Sequence, residues 1–301
     1  MSAQVTELAD FGISADVGVK LSRGVFFRRF WSAKMGRAGL GILIFALLVA
    51  FVGRFFAPYS TTATIASTYQ TPSMSHLLGT DVLGRDVLSR VLSGGAVIVG
   101  VSALATIGAY VVAVPLAMAA GLRKGMPEEV TGMAIVDLLL AFPPIVFILG
   151  LVAAAGPGFT IVVLGIASVS VPRIIRVVRT VAVELSTREF VEAAVARGER
   201  LWSLAFREIM PNIWTPTLAD LGVRLTGAIT LYASLSFLGV ADQPPAANWA
   251  LMINENRAGL FLNPWAILAP AILIAILSVG ANLVADVVAR SAGASSLGRI
   301  R

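Results

Sequence analysis

Two ionisable side chains inside an apolar stretch are the first candidates for chemistry in this chain. Asp220 and Arg224 are four residues apart, the spacing that places two side chains on one face of a helix. Placing a charge within a membrane segment is energetically costly, so the charged residues found there are usually paired or functional. The pair therefore has two interpretations, a lining of a polar path through a membrane or a structural ion pair.

The sequence offers no set of side chains for catalysis or for holding a metal. It contains no cysteine and a single histidine, His76, which excludes thiol nucleophiles, disulfides and histidine-rich metal sites. The carboxylates are scattered, and the ATP-binding motif GxxxxGK[ST] does not occur. We therefore expect no catalytic residue, no metal site and no cofactor in this chain.

The composition is that of an integral membrane protein. Hydrophobic residues make up 57% of the chain and charged residues 13%, with a mean hydropathy of +0.86, whereas soluble domains carry about 25% charged residues. The net charge of +6 suggests nucleic acid at first, but the cations cluster before the first apolar run and between positions 173 and 207. Positive-inside bias explains that clustering better, so we expect no nucleic-acid partner.

Apolar runs long enough to cross a bilayer predict an all-α membrane protein with six transmembrane helices. Gly156-Pro157-Gly158 divides one long apolar stretch into two of the spans as a tight hairpin. The predicted spans cover residues 38–57, 95–120, 130–155, 159–172, 213–238 and 265–288.

An even number of spans places both termini on one side, and the cations indicate that this side is the cytoplasm. We expect a cytoplasmic tail over 1–36, a membrane domain over 37–290 and a second tail over 291–301. Residues 24–35 mix aromatics with cations, which fits an interfacial amphipathic helix or ordinary juxtamembrane anchoring. The predicted outer loops hold four arginines, Arg54, Arg85, Arg90 and Arg257.

A polar, helix-forming loop between two apolar runs, at about 184–212, is unusual for such a chain. Thr187 is a plausible N-cap for a short helix over 188–196, and Gly198 permits a turn that a side chain would obstruct. A second helical piece is predicted over 201–209. The loop is either a docking element or a solvated amphipathic connector.

Several motifs together resemble one protein family. The resemblance covers about residues 28 to 290 and identifies the C-type permease subunit of dipeptide, oligopeptide and nickel ABC importers. It rests on GTDVLGRD at 79–86, LLLAFPPI at 138–145, EAAVARG at 192–198, LSFLGVADQPPAANW at 235–249 and PWAILAPA at 264–271.

The resemblance implies an ABC importer type I permease fold, with the loop at 184–212 as a cytoplasmic coupling helix that meets an ATPase. It also implies two groups of functional residues. Those for ATPase coupling are Glu192, Ala193, Ala194, Gly198, Arg207, Pro211 and Asn212, and those for outer-loop docking or structure are Asp81, Arg85, Asp86 and Trp249.

The implied partners are a homologous second permease, two ABC ATPase subunits or one fused ATPase, an extracytoplasmic substrate-binding protein and the bacterial inner membrane. ATP and Mg would then lie on the ATPases. Short peptides are the first substrate hypothesis and nickel the alternative. A secondary transporter or channel remains a third possibility. Arg173, Arg176 and Arg179 recur every third residue, a pattern for phospholipid headgroups or for acidic residues of an ATPase.

Overall fold

The computed structural model describes residues 31–297, so most of the predicted interfacial helix lies outside the described residues. The described part is mostly helical, and the pairing of Thr80 with Asp86 is an isolated bridge. The helices are α1 (Lys34–Phe51), α2 (Val87–Ser93), α3 (Gly95–Leu122), α4 (Pro127–Ala141), α5 (Pro144–Ala155), α6 (Phe159–Ser186), α7 (Glu189–Ala196), α8 (Leu201–Ser203), α9 (Met210–Phe237), α10 (Trp249–Asn256) and α11 (Trp265–Leu297), with 3₁₀ turns at Gly53–Phe56 and Arg257–Gly259 and a π-helix at Leu204–Ile209.

Four of the described helices are long and apolar enough to cross a membrane, or five spans result if the bent pair α4–α5 counts as one. They are α1, the stretch from α2 through α3, α6 and α11. The last three each contain a predicted span, whereas α1 ends at Phe51, short of the predicted end at 57, because the chain passes into the 3₁₀ turn at Gly53–Phe56. The 28-residue helix α9 is outside that set and contains Asp220 and Arg224. The predicted count of six therefore depends on α9.

The predicted span over 130–155 is not one continuous helix. The chain instead forms α4 and α5, which meet at 89°. The break falls at Phe142 and Pro143, both extended with ψ of 133° and 127°. Each precedes a proline, and a proline disfavours the helical conformation of the residue before it. The uninterrupted apolar composition concealed this corner.

The prediction that the fourth span ends at Pro172 was also wrong, because α6 continues through that residue to Ser186. Its buried side chains recur at helical spacing on both sides of the proline and face α3. The two helices approach so closely that a Cβ on Gly121 would lie 2.6 Å from the Cβ of Ala182. Small residues at such contacts allow membrane helices to pack backbone against backbone.

Two hydrophobic cores stabilise the fold, one towards each end of the long helices. The first surrounds Trp249 and includes Ile98, Ile148 and Tyr232. The second core joins the C-terminal halves of α3 and α6 to α7 and the π-helix. The polar loop at 184–212 is thus packed onto the membrane helices through its own apolar face.

Candidate functional site

Helix α7 presents one face to its own chain and the other to solvent. Val191 and Ala194 are buried against the π-helix, in a cluster with Leu204 and Ile209. Ala193 on the opposite face is exposed. The structure therefore separates the two predicted coupling alanines: one packs internally and the other is free to contact a partner.

Thr187 is not the N-cap of α7, contrary to the prediction. It ends α6, where its Oγ1 donates a 2.9 Å hydrogen bond to the carbonyl of Glu184. Arg188 occupies the N-cap position, but its side chain does not cap α7 and instead donates a 3.0 Å hydrogen bond to Glu184 Oε1. The carboxylates of Glu189 and Glu192 lie in the first turn instead, where they complement the positive end of the helix dipole.

The turn after α7 is fixed by backbone conformation and by one carboxylate. Gly198 has φ of +76°, a left-handed conformation that costs a residue with a side chain about 1–2 kcal/mol. Glu199 accepts hydrogen bonds from Arg197 Nη2 at 2.7 Å and Ser203 Oγ at 2.9 Å. These bonds lower the pKa of the Glu199 carboxyl below its ordinary value, so the carboxylate is the form that ties the two sides of the turn together.

The predicted second helical piece is mostly π-helical and joins α9 without a break. Pro211 lies in the first turn of α9. The Pro211 nitrogen cannot donate a hydrogen bond to the carbonyl four residues earlier. The chain before Pro211 is correspondingly wound as a wider π-helix, in which that bond is not made. Arg207, Pro211 and Asn212 are exposed, and Asn212 Nδ2 donates a 2.7 Å hydrogen bond to the Glu208 carbonyl.

Two exposed aromatic side chains beside α7 were missed by the sequence reasoning. Trp202 and Phe206 stack with their ring centroids 5.7 Å apart, and Trp202 is 64% exposed. Their four-residue spacing on a polar segment was the available signal. Together with Phe190 and Val195, which are also exposed, they give this end of the protein an apolar contact surface.

The ion pair within α9 forms and has a third member on α3. Arg224 Nη2 lies 2.9 Å from Asp220 Oδ1, and the Tyr110 hydroxyl donates a 2.6 Å hydrogen bond to Asp220 Oδ2. Both carboxylate oxygens are thus occupied by groups of the same chain. The arrangement neutralises the charges and links α3 to α9.

Removing only the Tyr110 hydroxyl should weaken the link between α3 and α9. A buried hydrogen bond to a charged group contributes about 1.5–3 kcal/mol, so we expect Tyr110→Phe to lower the thermal stability of the assembled protein measurably. Tyr59→Phe is the control, because its hydroxyl bonds the Ser75 carbonyl at the exposed surface. If the two variants melt alike, the hydroxyl does not stabilise the fold. Asp220→Asn and Arg224→Gln should each harm folding or transport more than the double change does, because each single change leaves one charge without its partner. Simple additivity in a double-mutant cycle would count against the pairing.

At the other end of the molecule, the four predicted outer-loop residues are all buried. Asp81, Arg85, Asp86 and Trp249 are each at most 1% exposed. Asp81 and Arg85 pair at 2.6 Å as their spacing suggested, but across a turn rather than along a helix, because helix α2 begins only at Val87.

The sequence did not predict the partners that complete this buried ion cluster. Arg90 is fully buried and pairs with Asp81, and both arginines reach Glu255 Oε2, at 2.9 Å from Arg85 and 2.8 Å from Arg90. Two cations therefore face two carboxylates. We call these four residues, Asp81, Arg85, Arg90 and Glu255, the outer ion cluster.

Asp86 and Trp249 anchor the elements around that cluster. Asp86 caps α2 by accepting from the Ser89 nitrogen at 2.8 Å, and its other oxygen lies 3.1 Å from His76 Nδ1. Trp249 Nε1 donates a 2.6 Å hydrogen bond to the Val91 carbonyl. A Cβ on Gly95 would lie 2.4 Å from the indole ring, so glycine is needed there for close packing.

A second polar network that the sequence did not reveal holds the segment before α10. Asp242 Oδ2 accepts from the hydroxyl of Tyr232, from Ser236 Oγ at 3.0 Å and from Asn248 Nδ2 at 2.8 Å. The Asn248 side chain also caps α10. The network fixes the proline-containing loop and thereby the position of Trp249.

Two of the three arginines of α6 that recur every third residue, Arg176 and Arg179, have carboxylate partners within the chain. Arg176 pairs with Asp137, and Arg179 Nε donates a 2.6 Å hydrogen bond to Glu129 Oε1. Both carboxylates lie on α4. Because α4 is bent away from α5, it is brought against α6 and supplies these partners.

Comparison with known proteins decides the family. The sequence profile described as "binding-protein-dependent transport system inner membrane component" matches residues 113–293, and that of the "N-terminal TM domain of oligopeptide transport permease C" matches residues 23–75. The chain belongs to the first of these families. The resemblance predicted from the motifs is confirmed, and the secondary-transporter alternative is excluded by it.

The similarity to curated relatives covers most of the chain. The glutathione transport system permease protein GsiD of Pectobacterium atrosepticum is 31% identical over 93% of each chain. The dipeptide transport system permease protein DppC of Alkalihalophilus pseudofirmus is 32% identical over 86% of each. The protein is therefore a permease of the ABC importer class.

The fold is similar to that of a solved transporter. A chain of the MetNI methionine ABC transporter, in an inward-facing conformation, matches with a TM-score of 0.54 at 15% identity. The match covers 68% of this chain and 96% of that chain. This permease thus shares the fold of that chain, and part of its length lies outside the match.

Proposed function

We propose that this permease forms half of the pathway of an ATP-driven importer of short peptides, beside a homologous second permease. The similarity to dipeptide and glutathione permeases over most of the chain carries the proposal. The implied partners are two ABC ATPases, or one fused ATPase, and an extracytoplasmic binding protein. Nickel is the alternative cargo within the same family.

The same proposal includes six spans with both termini in the cytoplasm of the inner membrane. The sixth is α9, with α4 and α5 taken together as one broken span. Burying an isolated charge in lipid is expensive, but Asp220 has Arg224 and Tyr110 as partners. That neutralisation supports a membrane-embedded α9.

The coupling element of the proposal is α7 with the turn at Gly198. Its buried face rests on the π-helix, which continues directly into α9. A force applied to the exposed face of α7 would therefore be transmitted to a membrane helix through packed side chains. Glu192 and Ala193 on α7, and Arg207 on the neighbouring π-helix, are the exposed residues that we assign to ATPase contact.

Uptake by the reconstituted importer tests the function. We expect proteoliposomes containing both permeases and the ATPases to accumulate dipeptides only with ATP and the binding protein. Omitting the ATPases should abolish uptake, and nickel should not be accumulated. Equal uptake without ATPases would contradict the proposal, and uptake of nickel in place of dipeptides would replace the substrate assignment.

The orientation can be tested by cysteine labelling, because the natural chain contains no cysteine. Met74 and Phe261 are 98% and 96% exposed, and cysteines there should react with an impermeant thiol reagent in intact cells. Cysteines at Val195 or Gly125 should react only after permeabilisation. The reverse pattern would invert the topology. Asp81 is unsuitable for this purpose because it is buried.

A further inference from the structure

A cavity of about 390 Å³ lies between α3, α4 and α6 and is lined by none of the residues of α7 or of the outer ion cluster. Its walls are almost entirely apolar, and the side chains at its mouth are partly open: Leu116 is 53% exposed and Ile135 55%. Residues from all three helices line it, so it is a feature of the packing and not of one helix face. The apolar walls include Leu116, Met133, Ile135, Leu139, Val171 and Ile175.

Two opposite charges lie at the same end of this cavity. Arg123 caps the end of α3 and Glu128 is in the first turn of α4, five residues later. Neither side chain has a hydrogen-bond or ion-pair partner among residues 31–297. The neighbouring Glu129 is already satisfied by Arg179, so one cation and one carboxylate remain for a ligand.

We propose that this cavity binds phosphatidylethanolamine. The turn between α3 and α4 joins two membrane helices and so lies at a membrane surface, where headgroups are. Leu116 is seven residues, or about 10 Å, before Arg123 along α3. The cavity therefore has a charged end at Arg123 and an apolar wall about 10 Å away at Leu116. The phosphate of the lipid accepts hydrogen bonds from Arg123, and the ammonium of the lipid donates to Glu128. One acyl chain of the lipid lies in the cavity against its apolar walls.

The alternative headgroups meet this pair less well. Phosphatidylglycerol carries the phosphate but has no ammonium group to balance the charge of the Glu128 carboxylate. Phosphatidylcholine is zwitterionic, but its quaternary ammonium has no N–H to donate to a carboxylate. Charge complementarity and hydrogen bonding together therefore favour phosphatidylethanolamine.

Native mass spectrometry of the assembled importer, with each of the three lipids added in turn, tests the proposal. We expect phosphatidylethanolamine to be retained at collision energies that remove the other two. Arg123→Gln and Glu128→Gln should each reduce its retention several-fold. Lys124→Gln is the matched control, because Lys124 is exposed beside Arg123 but does not line the cavity.

A cavity-filling variant separates lipid binding from misfolding. A Cβ on Gly132 would meet nothing within 4 Å, so Gly132→Leu should enter the cavity without disturbing the helices. It should abolish retention while the same spectra show an intact complex. Equal retention of all three lipids, preferred retention of phosphatidylglycerol, or displacement of the lipid by the dipeptide Ala-Leu would each overturn the proposal. Dipeptide uptake is measured separately, so failure here leaves the proposed function in place.

Discussion

Asp81→Asn should destabilise the protein more than any other single isosteric change to a charged residue. The substitution keeps the side-chain shape and the oxygen that accepts from the Leu83 and Arg85 nitrogens, both at 2.9 Å. It removes one of two negative charges from the outer ion cluster. Arg85 and Arg90, which are at most 1% exposed, would then share Glu255 alone. Breaking a buried pair in this way costs about 3–5 kcal/mol.

The measurement is the melting temperature and the yield of the assembled complex in detergent. Asp286→Asn is the matched control, since Asp286 is 58% exposed and lies 3.9 Å from Arg290. An exposed pair contributes about 0–1 kcal/mol, so this variant should resemble the natural protein. Restoring the charge balance with Asp81→Asn and Arg85→Gln together should cost less than the two single changes summed. Equal melting of Asp81→Asn and Asp286→Asn would show that the cluster does not stabilise the fold.

Gly198→Val should abolish most peptide uptake while the complex still assembles. Valine is strongly disfavoured at the φ of +76° that Gly198 adopts. The cost of about 1–2 kcal/mol corresponds to a factor of about 5 to 30 in the population of the native turn. With the turn altered, α7 no longer rests on the π-helix in the same position. ATP-dependent uptake and complex assembly are measured on the same preparation.

Two further variants test whether the loss of uptake depends on the backbone conformation at residue 198 and on the position of the strained residue in the chain. Gly198→Asn should retain most of the uptake, because asparagine adopts left-handed conformations more readily. Gly125→Val introduces the same strain at a φ of +81°, also with open space around the Cβ, but in the α3–α4 turn. It should leave uptake largely intact. An equal loss in Gly125→Val, or an equal loss in Gly198→Asn, would refute the assignment of the Gly198 turn to coupling.

Features that depend on local spacing and composition could be predicted from the sequence. The membrane class follows from composition, and the hairpin at Gly156 and the turn at Gly198 follow from residues that tolerate positive φ. The ion pair of Asp220 with Arg224 follows from helical spacing. The family followed from several motifs taken together, each of which is short and readable without a fold.

Features that depend on distant parts of the chain were decided by the tertiary structure. Glu255 meets Arg85 across 170 residues, and Tyr110 meets Asp220 across 110; no periodicity relates such positions. The corner between α4 and α5 was concealed because an apolar run looks the same whether straight or bent. Ala194 was predicted to contact an ATPase, but it is buried, and its small side chain packs α7 against the π-helix. Local spacing specifies which neighbours a residue meets on its own helix, whereas its partners on other helices are specified only once those helices pack together.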